Sequence, residues 1–416
     1  MLYRMPRHLG HSYSPLYWLA ALGAGGLTVS FFLWLMFWVP HPDKPVSDFS
    51  AIMAAFSEGG AGMKTAISLA WAGIVFFAFM HYRLLLWNIR EHRRFLRTEA
   101  YRQMHGARTE IRLLAAPLAV AMGINVAFVV GLVFVPGLWS IVEWLFPLAM
   151  AAFLVVGLWA LRLLGDYLGR GLTEGHNDLV ADNSLSQTLP AFTLVMVGVG
   201  LSAPAAMSAT PATAVVSLLL SSFFMISGIL IGAVMLVLGI RAMLEQSADA
   251  VSAPSLWLGI PILTIIGITL VRQTHAFEVH FGTEAGGVET LGVLGYLFVT
   301  QLAFGMLGWV VMRRYRYFQR FVFGPERSPG SYTLVCPGVA LAVMIHFFTN
   351  VGLAKHGVIE PQGVVYWSLT AIAVAVQLAT ILLVLRLNKK HFRERGSGSE
   401  QAGVAVAGSA ARSSAS

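Results

Sequence analysis

Residues 335–353 read VCPGVALAVMIHFFTNVGL. The run is long enough to cross ~30 Å of hydrocarbon as a helix, which takes about 20 residues. Yet it carries the chain's one cysteine, a Pro-Gly pair, a histidine, two adjacent phenylalanines and an asparagine. Groups of that kind persist inside a bilayer where they face other helices or a cavity, because lipid cannot satisfy them. Working outward, similar apolar runs recur near 15–39, 66–88, 112–135, 140–164, 188–208, 213–239, 254–272, 290–312 and 364–387, with the quoted one near 331–353. Of the 416 residues 57% are hydrophobic and 12% charged, against about a quarter charged in a soluble protein. These features predict an all-α polytopic membrane protein of ten transmembrane helices. The first run is long and ends in no small-residue cleavage site, so it reads as a span rather than a signal peptide.

Orientation follows from the distribution of Lys and Arg. With the N-terminus inside, 24 of the 28 basic residues fall on the inner side, leaving Lys44, Lys64, Arg272 and Lys355 outside. The positive-inside rule then places both termini in the cytoplasm. The formal charge of +8 is on this reading a topology signal spread over short loops. It argues for contact with the lipid bilayer and its anionic headgroups, and against nucleic acid as a partner. One cysteine excludes an internal disulfide and a thiolate metal cage. The expected organisation is a cytoplasmic N-terminus over 1–14, a membrane domain over 15–390, and a Gly/Ala/Ser-rich disordered tail over 391–416.

The ten spans form five hairpins, and the odd-numbered spans share a weak repeat. Their starts read SPLYWLAALGAGG, APLAVAMGIN, LPAFTLVMVGVG, APSLWLGIPILTIIG and CPGVALAVMIHF. Each carries a proline near the helix start, at Pro15, Pro117, Pro190, Pro254 and Pro337, where the first N–H groups lack partners anyway. The odd spans also hold the clusters Gly23, Gly25, Gly26 and Gly198, Gly200, and two prolines expected to kink their middles, Pro204 and Pro261. Small residues and interrupted helices belong where backbones approach closely or line a cavity. An inner ring of odd helices around a central pore, with even helices outside, is the economical arrangement.

These pieces resemble the tellurite-resistance/dicarboxylate transporter superfamily, which includes TehA and the slow-anion channels. SPLYWLAALGAGGL (14–27) is similar to that family's first helix, APSLWLGIPI (253–262) to its seventh, and CPGVALAVMIHFF (336–348) to its ninth. The opening also resembles the TsoY-type (seleno)protein branch, which would make Cys336 the counterpart of a selenocysteine. The resemblance implies ten spans in five hairpins, both termini inside, a central pore occluded by a phenylalanine of the ninth helix, a bacterial inner (plasma) membrane, and a homotrimer. Here the family's mid-span proline in the ninth helix is missing, and His346, Phe347 and Phe348 occupy that neighbourhood. Either phenylalanine is then the candidate gate, and the family's substrate specificity does not transfer.

His346 lies past the bilayer centre, where an ionisable group is a functional candidate. It can serve a pore, ligate a metal or haem, or simply hydrogen-bond a neighbouring helix. Phe347 and Phe348 point ~100° apart, so one can plug while the other packs. Asn125, Thr264, Thr269, Thr349 and Asn350 offer neutral donors on odd spans, either to an anion or across helices. Arg272 is expected at the outer end of the seventh span, attracting anions at a mouth or snorkelling to the interface. Cys336, beside a helix start that favours anions, is a redox candidate without a resolving partner. No phosphate loop is present, and no odd span carries a mid-membrane carboxylate. That favours a channel or facilitator over a proton-driven carrier, unless His346 takes the carboxylate's part. The expectation is a non-enzymatic transport protein for a small anion, with no cofactor or metal. The alternative is a membrane redox protein, quinone-linked or thiol/selenium-linked through Cys336. A bis-histidine haem is disfavoured because His81 and His346 fall in opposite halves of the bilayer.

Overall fold

The computed structural model describes residues 5–173, 184–282 and 287–393. The expected tail over 391–416 lies outside the described residues beyond position 393, as do residues 283–286 of the connection between the seventh and eighth helices. All ten apolar runs are helical: Pro15–Trp38, Ala61–Phe95, Thr109–Phe134, Leu138–Thr173, Leu185–Met207, Pro211–Gln246, Ala253–Phe281, Glu289–Arg314, Pro329–Ala354 and Val364–Phe392. They are called spans 1 to 10 below. Their number, length and apolarity make the chain a multi-pass membrane protein. Several even spans outrun their apolar cores. Segments such as RLLLWNIREHRR contain no Gly or Pro and are rich in Leu and Arg, which sustain a helix.

The odd spans form a closed ring. Span 1 packs on span 3, 3 on 5, 5 on 7, 7 on 9, and 9 back on 1. Each even span lies outside, against its own hairpin partner and the next odd span. Burial separates the two sets cleanly. In the most apolar window of each odd span 61–89% of residues are buried, against 17–39% in the even spans. Span 6, for instance, turns Leu219, Leu230 and Val237 outward, a surface matched to hydrocarbon.

Glycine permits the close approaches. A Cβ on Gly23 would sit 2.3 Å from Val335 Cγ1, and one on Gly200 would sit 2.2 Å from the Phe153 ring. Spans 1 and 9 thus meet backbone to side chain, and span 4 leans a phenylalanine onto span 5.

The proline-bearing starts share more than a residue type. Every odd span opens with a 3₁₀ turn, over Pro15–Tyr17, Arg108–Leu114, Leu185–Thr188, Ala253–Leu258 and Pro329–Leu334, before becoming α-helical. These five turns also touch in chain order, the last meeting the first. Pro15 and Pro254 lie within such turns. Pro117, Pro190 and Pro337 sit in the first α-turn that follows. Pro261, expected as a mid-span kink, is the third residue of the α-helix that begins at Gly259, so it too marks a helix start. Pro204 lies in the last turns of its helix.

Two features depart from the sequence reading. The connection over 40–65 contains a further helix, Phe49–Glu58, whose N-cap Asp48 accepts from Ala51 N at 3.1 Å and pairs with Lys44 at 2.5 Å. Span 7 does not end at Arg272 but continues to Phe281. Arg272 is therefore well inside a helix, and His275, beyond the expected end of the run at 272, is helical as well.

Candidate functional site

The ring encloses a cavity of about 410 Å³. Its lowest lining residues are Leu22, Phe192, Pro261 and Cys336, each about seven residues into its span. Below them lie the five 3₁₀ turns, so those turns form a floor. The floor is aromatic on one side, where Tyr17 stands 5.6 Å from Trp87 and 6.2 Å from Tyr332, ring centre to ring centre. At the far end the walls reach Met36, Met207, His275 and Val351, with Pro45 and Val46 of the first connection joining them.

Most of the lining is Phe, Met, Val, Ile, Leu and Ala. The polar exceptions among the described residues are Asn125, Thr264, Arg272, His275 and Cys336. Two of these are already committed. The Thr264 hydroxyl lies 3.0 Å from the Ala340 carbonyl and 3.1 Å from the Ile260 carbonyl, and accepts from Gln301 Nε2 at 2.8 Å. The Asn125 amide nitrogen is 3.4 Å from the Ala121 carbonyl and 3.9 Å from Met196 Sδ.

Arg272 differs in kind. One terminal nitrogen donates to the Val199 carbonyl at 2.8 Å. Among the described residues no carboxylate stands within ion-pair distance of it. A guanidinium has five N–H donors, and among the described residues the Val199 carbonyl is its acceptor, on a side chain that lines the cavity. The nearest lining histidine, His275, is engaged by Glu278 at 3.3 Å.

The Thr264–Ala340 contact places those residues at one height. Arg272 is eight residues above Thr264 and Phe347 seven above Ala340. At 1.5 Å per residue both stand ~11–12 Å higher. Arg272 and the candidate gate Phe347 are therefore at the same level of the ring.

The segment Val335–Leu353 now resolves by face. Cys336, Val339, Ala340, Val343, Phe347 and Val351 line the cavity. His346 does not. It is fully buried behind the ring, 6.5 Å from the Phe37 ring and 6.3 Å from Trp38. Neither of its ring nitrogens has a protein partner. Phe348 also turns away and packs on Phe298 of span 8 at 5.4 Å. Asn350 donates to the His346 carbonyl and accepts from the Tyr366 hydroxyl, both at 2.8 Å. Thr349 is buried with its hydroxyl unpartnered, and Thr269 bonds back to the Ile265 carbonyl at 2.8 Å. Of the candidates read from the sequence, Phe347, Asn125, Thr264, Arg272 and Cys336 share the cavity. His346, Phe348, Thr269, Thr349 and Asn350 do not. The reason is rotational: adjacent helical residues diverge by ~100°, so depth in the membrane did not tell which side of span 9 faced inward.

The α-helix of span 9 stops at Phe347 and continues as a π-turn over Phe348–Ala354. Such wide turns concentrate at functional sites, and this one begins at the cavity-lining ring. Span 10 supplies a set of residues the sequence reading passed over. Tyr366, Thr370, Gln377 and Thr380 form one buried stripe. Their spacing of three, four and seven was visible as a polar face on an apolar helix.

No family model matches the chain, and no curated protein or solved structure matches it. The functional reading rests on the cavity itself.

Proposed function

We propose that the protein is a transport protein that passes an anion along the axis of the five-helix ring. One observation carries this reading. Arg272 presents a guanidinium to a mostly apolar cavity inside a membrane protein, with no carboxylate among the described residues to neutralise it. A cation held in an apolar cavity without a counter-ion is costly, and an anion in the cavity removes that cost. Phe347, at the same level, narrows the passage and keeps the site dry, which strengthens the ion pair. The π-turn that follows lets the ring of Phe347 shift without breaking the span.

The closed ring of odd spans, the repeated helix starts and the ninth-helix phenylalanine support a TehA-like architecture; the Lys and Arg distribution favours both termini inside, and the resemblance favours a bacterial inner membrane. A redox reading keeps a foothold because Cys336 opens onto the same cavity. Replacing Cys336 by Ser abolishes a thiol-based activity and leaves transport intact.

Tracer flux into vesicles containing the purified protein tests the main reading. Wild-type protein should admit anions well above protein-free vesicles, and Arg272→Gln should lose most of that flux. Equal flux through both would show that the guanidinium does not contact the cargo.

A further inference from the structure

We infer that the favoured cargo is a monoanion with an apolar body, such as an aryl or alkyl carboxylate or sulfonate, rather than a halide, nitrate or dicarboxylate. This rests on the cavity as an anion pathway and names what fits it. The argument is a match of donors and surfaces. The cavity offers one charge. The Thr264 hydroxyl faces two carbonyls, and the Asn125 amide nitrogen faces a carbonyl and a sulfur. Neither has a donor to spare.

A small inorganic anion entering such a space loses its hydration shell and regains a single cation. The rest of its surface then faces Ile, Val and Phe. A C4-dicarboxylate fares worse, because its second carboxylate is buried without a partner. A monoanion with an apolar body leaves nothing unsatisfied. Its head meets Arg272, and its body removes apolar surface from water against Ile265, Ile268 and Val343. The cavity has room for such a body. Its volume lies within the ~300–1,000 Å³ typical of organic-ligand pockets. From Arg272 down to Pro261 on the same span there are ~16 Å of helix.

This geometry also puts a reporter at the tail end. Cys336 is the chain's one cysteine and lines the lower wall. A bound body extending from Arg272 toward the floor screens its thiol.

The test uses the full-length protein in vesicles and the probe 3-phenylpropane-1-sulfonate, which stays ionised and does not leak as a neutral acid. Its controls are nitrate, succinate and the uncharged 3-phenylpropan-1-ol. The sulfonate should enter at least tenfold faster than nitrate or succinate at equal concentration. It should also slow N-ethylmaleimide labelling of Cys336 at least fivefold, whereas the alcohol and the small anions should not. Arg272→Gln should remove the protection and Arg272→Lys should keep part of it, which separates loss of charge from loss of fold. If Cys336 resists labelling even without ligand, the uptake ratio decides. Nitrate or succinate equalling the sulfonate, or the alcohol protecting as well as it does, overturns the inference while leaving anion transport standing. Flux of every anion unaffected by Arg272→Gln overturns the transport reading itself.

Discussion

Two buried regions lie on opposite sides of span 9, and they treat polar groups in opposite ways. Toward the ring axis the wall is apolar, interrupted by Arg272 with its single backbone partner. Away from the axis, where spans 1, 9 and 10 meet, polar side chains are packed together. Trp34 Nε1 donates to Gln377 Oε1 at 3.1 Å, Tyr366 to Asn350 at 2.8 Å, and His346 is wedged against Phe37 and Trp38. The seam spends its polarity on joining helices, as membrane bundles commonly do. In the cavity the polar groups of Asn125, Thr264 and His275 are held by protein partners, and Arg272 alone keeps several donors over. Under the proposed function, polarity inside the membrane does not by itself mark the pathway, whereas an isolated charge in mostly apolar surroundings does.

The contrast makes graded predictions. The largest effect belongs to Arg272→Gln, which should lower anion flux at least tenfold in reconstituted vesicles. Arg272→Lys, retaining a compact charge, should fall in between. A glutamine variant with wild-type flux would erase the distinction between the two regions.

Next comes the pair of phenylalanines. Phe347→Ala should raise flux several-fold by widening the level shared with Arg272. Phe348→Ala, on the side of span 8, should change flux less than twofold and cost about 3 kcal/mol of stability or less, since its ring is only half-buried. Equal effects of the two would mean that the azimuth of span 9 is misassigned.

The seam should be functionally quiet. His346→Leu removes two ring nitrogens that have no protein partner at similar volume. Leaving a buried polar group unmade costs about 1–3 kcal/mol, so the variant should melt no lower than wild type and transport within twofold of it. A collapse of flux with intact folding would move the functional centre into the seam.

The smallest effect concerns the far end of the cavity. Pro45 and Val46 reach its lining from the connection anchored by Asp48. Burial of the Asp48 carboxyl pushes its pKa upward. Hydrogen bonds from Lys44, Ala51 and Ser50 and the Lys44 charge outweigh that, and its pKa is lowered overall. The stability from this anchor is complete above the ordinary carboxylate range of about 4 and is lost as pH falls through the lower folded value. Amide exchange over 44–58 should rise only in strong acid, and Asp48→Ala should raise it at neutral pH, with a cap loss of about 1 kcal/mol.

The sequence was most informative where a signal is one-dimensional. Ten apolar runs gave ten helices, and the Gly- and Pro-bearing odd runs became the ring because small residues decide how near two backbones come. Pro261 misled because helix starts vary in depth: span 7 spends six residues in a 3₁₀ turn before its α-helix begins. The candidate gate was legible only as a pair of neighbours. Choosing between Phe347 and Phe348 required knowing the rotation of span 9, which contacts with spans 1, 8 and 10 set. Arg272 looked terminal because hydropathy falls there, although the helix carries on for nine more residues. The stripe on span 10 was readable from spacing, but an outer helix drew no attention.

The five hairpins are threaded in one direction, so the 3₁₀ turns that open the odd spans all lie on the same side of the bundle. Carriers built from inverted halves reach their second state by letting the halves trade conformations about a two-fold axis in the membrane plane. A five-membered ring of parallel repeats has no such axis. Its two mouths are chemically unlike, and neither can be generated from the other. Under the proposed function, opening the floored side means loosening side chains locally at turns that brace one another, and rectification is the natural outcome of that asymmetry.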